Sequence, residues 1–347
     1  MPAAYRIGER CRLDARNTFG IAATAPMLVE VADAAALPEL FGYAMLRESS
    51  TLVLGGGSNL LFAGDPPGAV LALETRRIDL VEDQGDAAIV RAEAGVGWHD
   101  CVLWTLGHGL AGLENLALIP GTVGAAPIQN IGAYGVEVCE HVHAVEAFDR
   151  DSGGFVRLAA ADCAFAYRDS LFKHAPHRYV VSAVEFALSR TFQPRLGYAG
   201  IEDELRAMGV DGAPRAAQVA EAVIRIRRRK LPDPAVVGNA GSFFKNPIVP
   251  AVQAEALLAA HPALPVFRAA DAGLRKLSAA WLIDQCGWKG HRDGDAGVSP
   301  GHALVLVNHG QAQGSELLGL ARRIAASVQM RFGVALEPEP RIVGATW

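Results

Sequence analysis

Cysteine is scarce and scattered. Cys11, Cys101, Cys139, Cys163 and Cys286 are spread over 347 residues, odd in number and without a Cys-x-x-Cys pair. That spacing excludes a disulfide framework and offers no zinc knuckle, so no metal site is expected. No apolar run is long enough to span a bilayer. The amino terminus, Met1-Pro-Ala-Ala-Tyr-Arg-Ile-Gly-Glu-Arg, lacks the apolar centre of a signal peptide. Charge is nearly balanced: 32 basic against 37 acidic residues give a net −5, which argues against a general nucleic-acid binder. Internal repeats are lacking too. Apolar residues at 51% and charged residues at 20% are ordinary for a globular chain, with length enough for two or three domains. The expectation is a soluble, reduced, cytoplasmic protein. No stretch signals a partner surface, so it is expected to be a monomer.

What is present is glycine in two unusual places. Thr51 to Leu54 reads as a buried strand that runs into Gly55-Gly56-Gly57-Ser58-Asn59. Glycine lets backbone approach a ligand closely, and successive N–H groups in such a turn favour an anion. Phosphate or pyrophosphate is the first candidate, with a glycine-rich turn as the plain alternative. A Walker loop is excluded because no Lys-Ser/Thr follows, and a Rossmann fingerprint because Leu60 stands where its last glycine would be.

Met27 to Val31 is predicted as a strand and Ala34 to Leu46 as a helix, so that Met27 to Leu54 forms a strand–helix–strand unit ending at the glycine loop. Further strands are expected at Ala69–Leu73 and Ala88–Ala94, and a helix from His99 to Leu106, with Trp98 as a packing residue. The second glycine-rich stretch lies within Leu113 to Gly135 and holds Ile119, Pro120, Gly121, Gly124, Gln129, Asn130, Gly132 and Tyr134. Long loops of this kind in compact domains are commonly functional. Small residues would let backbone lie against an extended ligand, and Gln129 and Asn130 could bond polar ring edges. Two such stretches suit a dinucleotide-sized cofactor better than a lone phosphate.

Strands at His143–Phe148 and Tyr179–Phe186 flank Tyr167-Arg168-Asp169-Ser170. Ala216 to Ile226 reads as an amphipathic helix closing in a basic run through Lys230, which the helix dipole favours, before Pro232 to Pro234 marks a boundary. Ser242 then sits in Gly238-Asn-Ala-Gly-Ser-Phe-Phe-Lys-Asn246-Pro, without the Gly-x-Ser-x-Gly spacing of a hydrolase elbow. Helices at Ala251–Ala260 and Leu277–Cys286, a strand at Ala303–Val307 and a helix at Ser315–Phe332 complete a mixed α/β second domain.

Taken together, Asn17-Thr-Phe-Gly, Leu54-Gly-Gly-Gly-Ser-Asn-Leu-Leu, Gly112-Leu-Glu-Asn-Leu-Ala-Leu-Ile-Pro-Gly, Pro127-Ile-Gln-Asn-Ile-Gly-Ala-Tyr-Gly, Tyr167-Arg-Asp-Ser, Gly238-Asn-Ala-Gly-Ser-Phe-Phe-Lys-Asn-Pro and Leu336-Glu-Pro-Glu resemble the UDP-N-acetylenolpyruvoylglucosamine reductase family, in its order and nearly end to end. The Tyr198 region is similar to the type I branch, although Leu196-Gly-Tyr-Ala-Gly departs from the usual acidic continuation there.

The resemblance implies an α+β fold. Residues 1–231 would form an FAD-binding region of the vanillyl-alcohol-oxidase (PCMH) type, in subdomains of about 1–75 and 76–231. Residues 232–332 would bind substrate, and the tail 333–347 would return to the FAD half. It implies FAD, non-covalent because Leu54 to Asp65 holds neither histidine nor cysteine, and NADPH as hydride donor. It implies reduction of the enolpyruvyl double bond of a nucleotide sugar in peptidoglycan precursor synthesis. FAD would be held by Gly55, Gly56, Gly57, Ser58 and Asn59, and by the residues named in the second loop.

By the same resemblance Arg168, Ser242 and Glu339 are catalytic. Hydride arriving at C3 builds negative charge on C2 and its carboxylate. The forked Arg168 guanidinium would grip that carboxylate, and Ser242 would give its proton to C2, where position outweighs ground-state acidity. Glu339 beside such charge must be paired or protonated. Lys230 and Asn246 match positions near the substrate diphosphate, Tyr198 matches the covering loop, and His302 stands where a polar substrate contact is common. Two rival readings are a flavin oxidase of the same fold and a catalytically silent binder. The complete set of Arg168, Ser242 and Glu339 speaks against both.

Overall fold

The computed structural model describes residues 3–47, 50–198 and 200–347. It divides into two compact units, each assembled from separated chain segments. The first comprises Met1–Cys11, Ala25–Gly57 and Pro67–Arg229, and the second Arg12–Thr24, Ser58–Pro66 and Lys230–Trp347. This division differs from continuous ranges ending at 231 and 332. Two early segments lie with the carboxy-terminal one because their hydrogen bonds are there: Asn239 N–H donates to Thr18 O at 2.9 Å, and Arg341–Val343 pairs in parallel with Leu60–Phe62.

The first unit contains two sheets. One runs across in the order Tyr5–Arg12, Thr24–Val31, Val70–Leu73, Leu52–Leu54. Val70–Leu73 is parallel to both its neighbours and stands between the two strands expected to adjoin, so the strand–helix–strand unit straddles a third strand. All four of its residues are buried, as a central parallel strand requires. The helix expected over Ala34–Leu46 is broken into a 3-10 turn, Ala34–Ala36, and two short helices, Leu37–Gly42 and Ala44–Arg47. Tyr43 is extended between them (ψ 128°), where Gly42 weakens the helix and the Tyr43 hydroxyl bonds Glu39 instead.

The other sheet is antiparallel throughout, in the order Gly154–Ala159, Val142–Asp149, Tyr179–Ser189, Ala87–Glu93, Ile78–Asp83. Trp98 is buried at the start of the helix Trp98–Gly107, edge-on to Phe186, with its Nε1–H donating to Leu116 O at 2.9 Å. That bond ties the long loop to the core. The helix Ala216–Lys230 closes in the basic run, as expected. Most of its arginines have structural work: Arg225 pairs with Glu221, Arg229 with Glu204, and Arg227 Nε donates to Leu118 O.

The second unit is built on the antiparallel sheet Gly238–Ser242, Val305–Asn308, Ala296–Val298, Arg292–Asp293, accompanied by the long helix Gly314–Phe332. A capping box at Gln313 and Glu316 starts that helix, and Gly333 ends it at φ 65°. A smaller three-stranded sheet and the helices Ala251–Ala260 and Ala279–Gln285 complete the unit.

Candidate functional site

In the first unit the two glycine-rich loops lie against each other. A Cβ on Gly56 would stand 2.9 Å from Gly121 Cα, and one on Gly55 2.7 Å from Thr122 Oγ1. Gly55 and Gly56 are nonetheless exposed on their outer side. The second loop is fixed from behind by the core. Trp98 N–H donates to Gly121 O at 3.0 Å, Val123 N–H to Val96 O at 2.9 Å and Gly124 N–H to Ala94 O at 2.9 Å. A Cβ on Gly124 would meet Ala94 Cβ at 2.5 Å. The stretch is therefore ordered from behind, with Leu116, Ala117, Val123 and Ala126 buried in the core of the unit.

Two of the expected cofactor residues other than glycine hold left-handed backbone, Asn130 at φ 46° and Tyr134 at φ 51°. Asn130 is buried. Its Nδ2 donates to Glu137 Oε2 and Ala166 O, and its Oδ1 accepts from Cys139 N. It therefore braces the loop with its side chain rather than presenting it outward. Burial raises the Tyr134 phenol, whose ring meets the Tyr198 ring edge-on at 5.1 Å between centroids. Ile119, Pro120, Gln129 and Gly132 lie along the same loop.

Arg168 also has positive φ, 54°, in a tight turn closed by the Ala166–Asp169 bridge. Its Nη2 donates to Gly132 O at 2.8 Å, and its own carbonyl accepts from Lys173 Nζ at 2.7 Å. Ser170, fully buried, donates to Ile128 O at 2.6 Å and caps the helix Leu171–His174. The Tyr167-Arg-Asp-Ser motif thus aims one guanidinium and locks its turn to the glycine-rich loop.

In the second unit Ser242 ends the strand Gly238–Ser242, opposite Val305. The next residue, Phe243, is buried, and its carbonyl accepts the Glu339 N–H at 2.8 Å. Lys245 N–H donates to Glu337 O at 3.0 Å, and Lys245 Nζ meets Glu337 Oε2 at 3.0 Å. Asn59 joins the same lacing: its carbonyl accepts from Arg341 N at 3.0 Å, and its Nδ2 reaches Glu339 O at 3.4 Å. Ser58, Asn59, Ser242 and Glu339 therefore share one unit, while Gly55 to Gly57, Arg168 and Tyr198 belong to the other.

Asn17-Thr-Phe-Gly braces the serine strand. Phe19 O accepts from Asn308 Nδ2 at 2.9 Å, and a Cβ on Gly238 would lie 2.3 Å from that oxygen. The Asn17 side chain closes its own turn through Leu13 O, Ile21 O and Ile21 N.

Asn246 has a role the sequence did not reveal: its Oδ1 accepts from Ala279 N at 3.0 Å and so holds the start of the helix Ala279–Gln285. Lys230 is exposed at its helix end. It lies near His302, whose imidazole is held below its ordinary pKa of 6.5 first by burial and then by Lys230 and Lys289. Three basic groups thus face one region. Lys289 was not singled out by the sequence, since one lysine in a Trp-Lys-Gly turn carries no pattern. No cluster of metal ligands occurs among the described residues, and no helix there is long and apolar enough to cross a membrane.

The chain is 59% identical over 343 residues, 99% of its length and 98% of the relative's, to UDP-N-acetylenolpyruvoylglucosamine reductase of Xanthomonas euvesicatoria pv. vesicatoria (strain 85-10). It belongs to the UDP-N-acetylenolpyruvoylglucosamine reductase family. A homologue of the same name from Xanthomonas campestris pv. campestris (strain B100) is 56% identical over 346 residues, covering 100% of this chain and 99% of that one. Residues 233–343 match the family model for the reductase's C-terminal domain, and residues 25–159 match that for an FAD binding domain. The crystal structure of the reductase (MurB) from Thermus caldophilus superposes with a TM-score of 0.69 at 27% identity, covering 98% of this chain and 99% of that one. This reductase-family chain is accordingly an FAD-dependent oxidoreductase with an α+β fold. At Gly55 and Gly56 a Cβ would meet Thr122 Oγ1 or Gly121 Cα, so both positions need glycine for the two loops to meet.

Proposed function

We propose that the protein reduces UDP-N-acetylenolpyruvoylglucosamine to UDP-N-acetylmuramate with NADPH, in the cytoplasm and as a monomer, using non-covalent FAD. Support comes from 59% identity over the whole chain, together with the presence of Arg168, Ser242 and Glu339, each in a turn or strand pinned by main-chain bonds. Bound FAD would supply the hydride, taken from NADPH, that adds to C3 of the enolpyruvyl group.

The protein's residues would handle the charge and the proton. Arg168 is positioned by Gly132 O and offers a planar fork to the substrate carboxylate, where charge builds as C3 is reduced. A donor lost from such a site costs about 3–4 kcal/mol of barrier. Ser242 gives its proton to C2. Glu339, registered on Phe243, acts electrostatically beside it. The glycine-rich turn at Gly55 to Asn59 and the loop from Ile119 to Tyr134 hold FAD. Lys230 and Asn246, with Lys289 and His302 near Lys230, lie in the second unit and face the nucleotide sugar, where a point charge suits a diphosphate. Tyr198 covers the substrate.

The deciding experiment is anaerobic stopped-flow absorbance. The flavin is reduced with NADPH and mixed with UDP-N-acetylenolpyruvoylglucosamine. Rapid return of the oxidised spectrum is expected. A flavin that is reduced but not reoxidised would reject the substrate, and absence of flavin would reject the whole reading.

A further inference from the structure

Asn115 is fully buried in the first unit, and its single Nδ2 donates to two main-chain carbonyls 61 residues apart in sequence, Tyr134 O and Arg195 O, each at 2.9 Å. Both acceptors are carbonyls, so the amide can turn only its nitrogen to them, and its Oδ1 is left buried with no partner among the described residues. The two acceptors belong to segments with different tasks. Tyr134 is a left-handed residue at the end of the glycine-rich loop, and its backbone sets the direction of its ring. Arg195 lies three residues before Tyr198, whose ring rests edge-on against Tyr134.

A second tie runs in parallel. Arg195 Nη1 pairs with Glu140 at 2.9 Å, and Glu140 Oε1 accepts the Glu137 N–H at 2.8 Å within a capping box. Glu137 in turn accepts from Asn130, another left-handed residue of the cofactor loop. Two independent bonds therefore hold the base of the Tyr198 segment to the cofactor loop.

We infer that Asn115 is a positioning residue for substrate: it fixes Tyr134 and the Arg195 backbone together, so that Tyr198 is presented ready to cover the nucleotide sugar. This rests on the proposed contact between Tyr198 and substrate. A side chain that only stabilised the fold would weaken everything the unit does. A positioning residue weakens substrate binding selectively, and does so through Tyr198.

The test is a double-mutant cycle on the full-length FAD-loaded enzyme with Asn115→Ala, Tyr198→Ala and the double variant. Three quantities are read: FAD per chain, the rate of flavin reduction at saturating NADPH, and the Kd of UDP-N-acetylenolpyruvoylglucosamine from perturbation of the flavin spectrum. The expected result is unchanged FAD content, a reduction rate within about twofold, and a Kd raised about tenfold by either single change, with the double variant little worse than either. Additive losses, or a loss of FAD and NADPH reactivity in step with substrate binding, would overturn the assignment. Should Asn115→Ala fail to fold, Glu140→Gln replaces it in the cycle. Glutamine keeps an acceptor for Glu137 N–H and removes only the ion pair to Arg195. Tyr198→Ala with an unchanged Kd would overturn the Tyr198 reading and this inference with it. A changed Tyr198→Ala Kd beside an unchanged Asn115→Ala Kd would overturn this inference alone.

Discussion

The main-chain N–H of Glu339 donates to the carbonyl of Phe243, the residue after Ser242, at 2.8 Å. The proposed proton donor and the proposed electrostatic residue are thus set in fixed register by backbone, 97 positions apart in sequence. Their side chains can be exchanged without dismantling that register, which makes them suitable for clean functional tests.

Ser242→Ala is the first. The alanine variant should bind FAD and be reduced by NADPH at close to the normal rate, while reoxidation by substrate falls by about 10²–10⁴-fold, the range for a lost general acid. The two half-reactions are separated by anaerobic stopped-flow, and equal loss in both would reject the role.

Arg168→Lys tests the fork. Lysine keeps the charge and meets the same positive-φ backbone, but it cannot serve Gly132 O and a two-oxygen group from one rigid plane. The expected loss in kcat/KM is about 10- to 100-fold, corresponding to about 1.5–3 kcal/mol for a charge-assisted hydrogen bond, with flavin content unchanged. A variant with normal kcat/KM would show that the guanidinium geometry is not used.

Gly56→Ala tests the meeting of the two glycine-rich loops. The new methyl would lie 2.9 Å from Gly121 Cα, a main-chain atom that cannot swing aside. Folding stability should drop by about 1–3 kcal/mol, as overpacking typically costs, and FAD occupancy should fall with it. Gly42→Ala, where nothing lies within 4 Å, serves as the control and should leave flavin absorbance unaltered and Tm unchanged or slightly raised, since alanine favours the helix.

His302 predicts a pH dependence. Burial, then Lys230 and Lys289, hold its folded-state pKa below the 6.5 of a free imidazole. As pH falls past that value the unfolded chain takes up the proton before the folded one does, so stability rises with pH across this interval. The contribution is complete above 6.5 and is lost progressively below it, until the folded imidazole is protonated as well. Tm followed from about pH 7.5 to 5.5 should decline less in His302→Gln than in the parent. Parallel curves would remove His302 as the cause.

Most of the strands and helices could be read from the chain because their apolar periodicity is local. Val70–Leu73 and the helix Gly314–Phe332 are examples. The motifs could also be read, but not what they do. Asn17-Thr-Phe-Gly carried the resemblance without a role, and in the fold Asn17 closes its own turn and Phe19 O anchors Asn308. Asn246, expected near the substrate diphosphate, also accepts the N–H that starts the helix Ala279–Gln285. Asn115 stood inside a quoted motif without a role, because its two acceptors, Tyr134 and Arg195, come together only through the fold. Local pattern also missed the break at Tyr43 and the strand inserted between Thr24–Val31 and Leu52–Leu54, since strand order is set by distant pairing.

The parallel pairing of Arg341–Val343 with Leu60–Phe62 has a consequence for how the chain is made. During synthesis Leu60–Phe62 emerges well before Arg341–Val343, the strand that completes its pairing. Until Glu339 to Val343 have been made, Leu60–Phe62 lacks its partner and Asn59 lacks both Arg341 and Glu339. The stretch from Asn59 to Phe62 is therefore completed late, and a chain truncated before Glu339 should lack these bonds and lose stability.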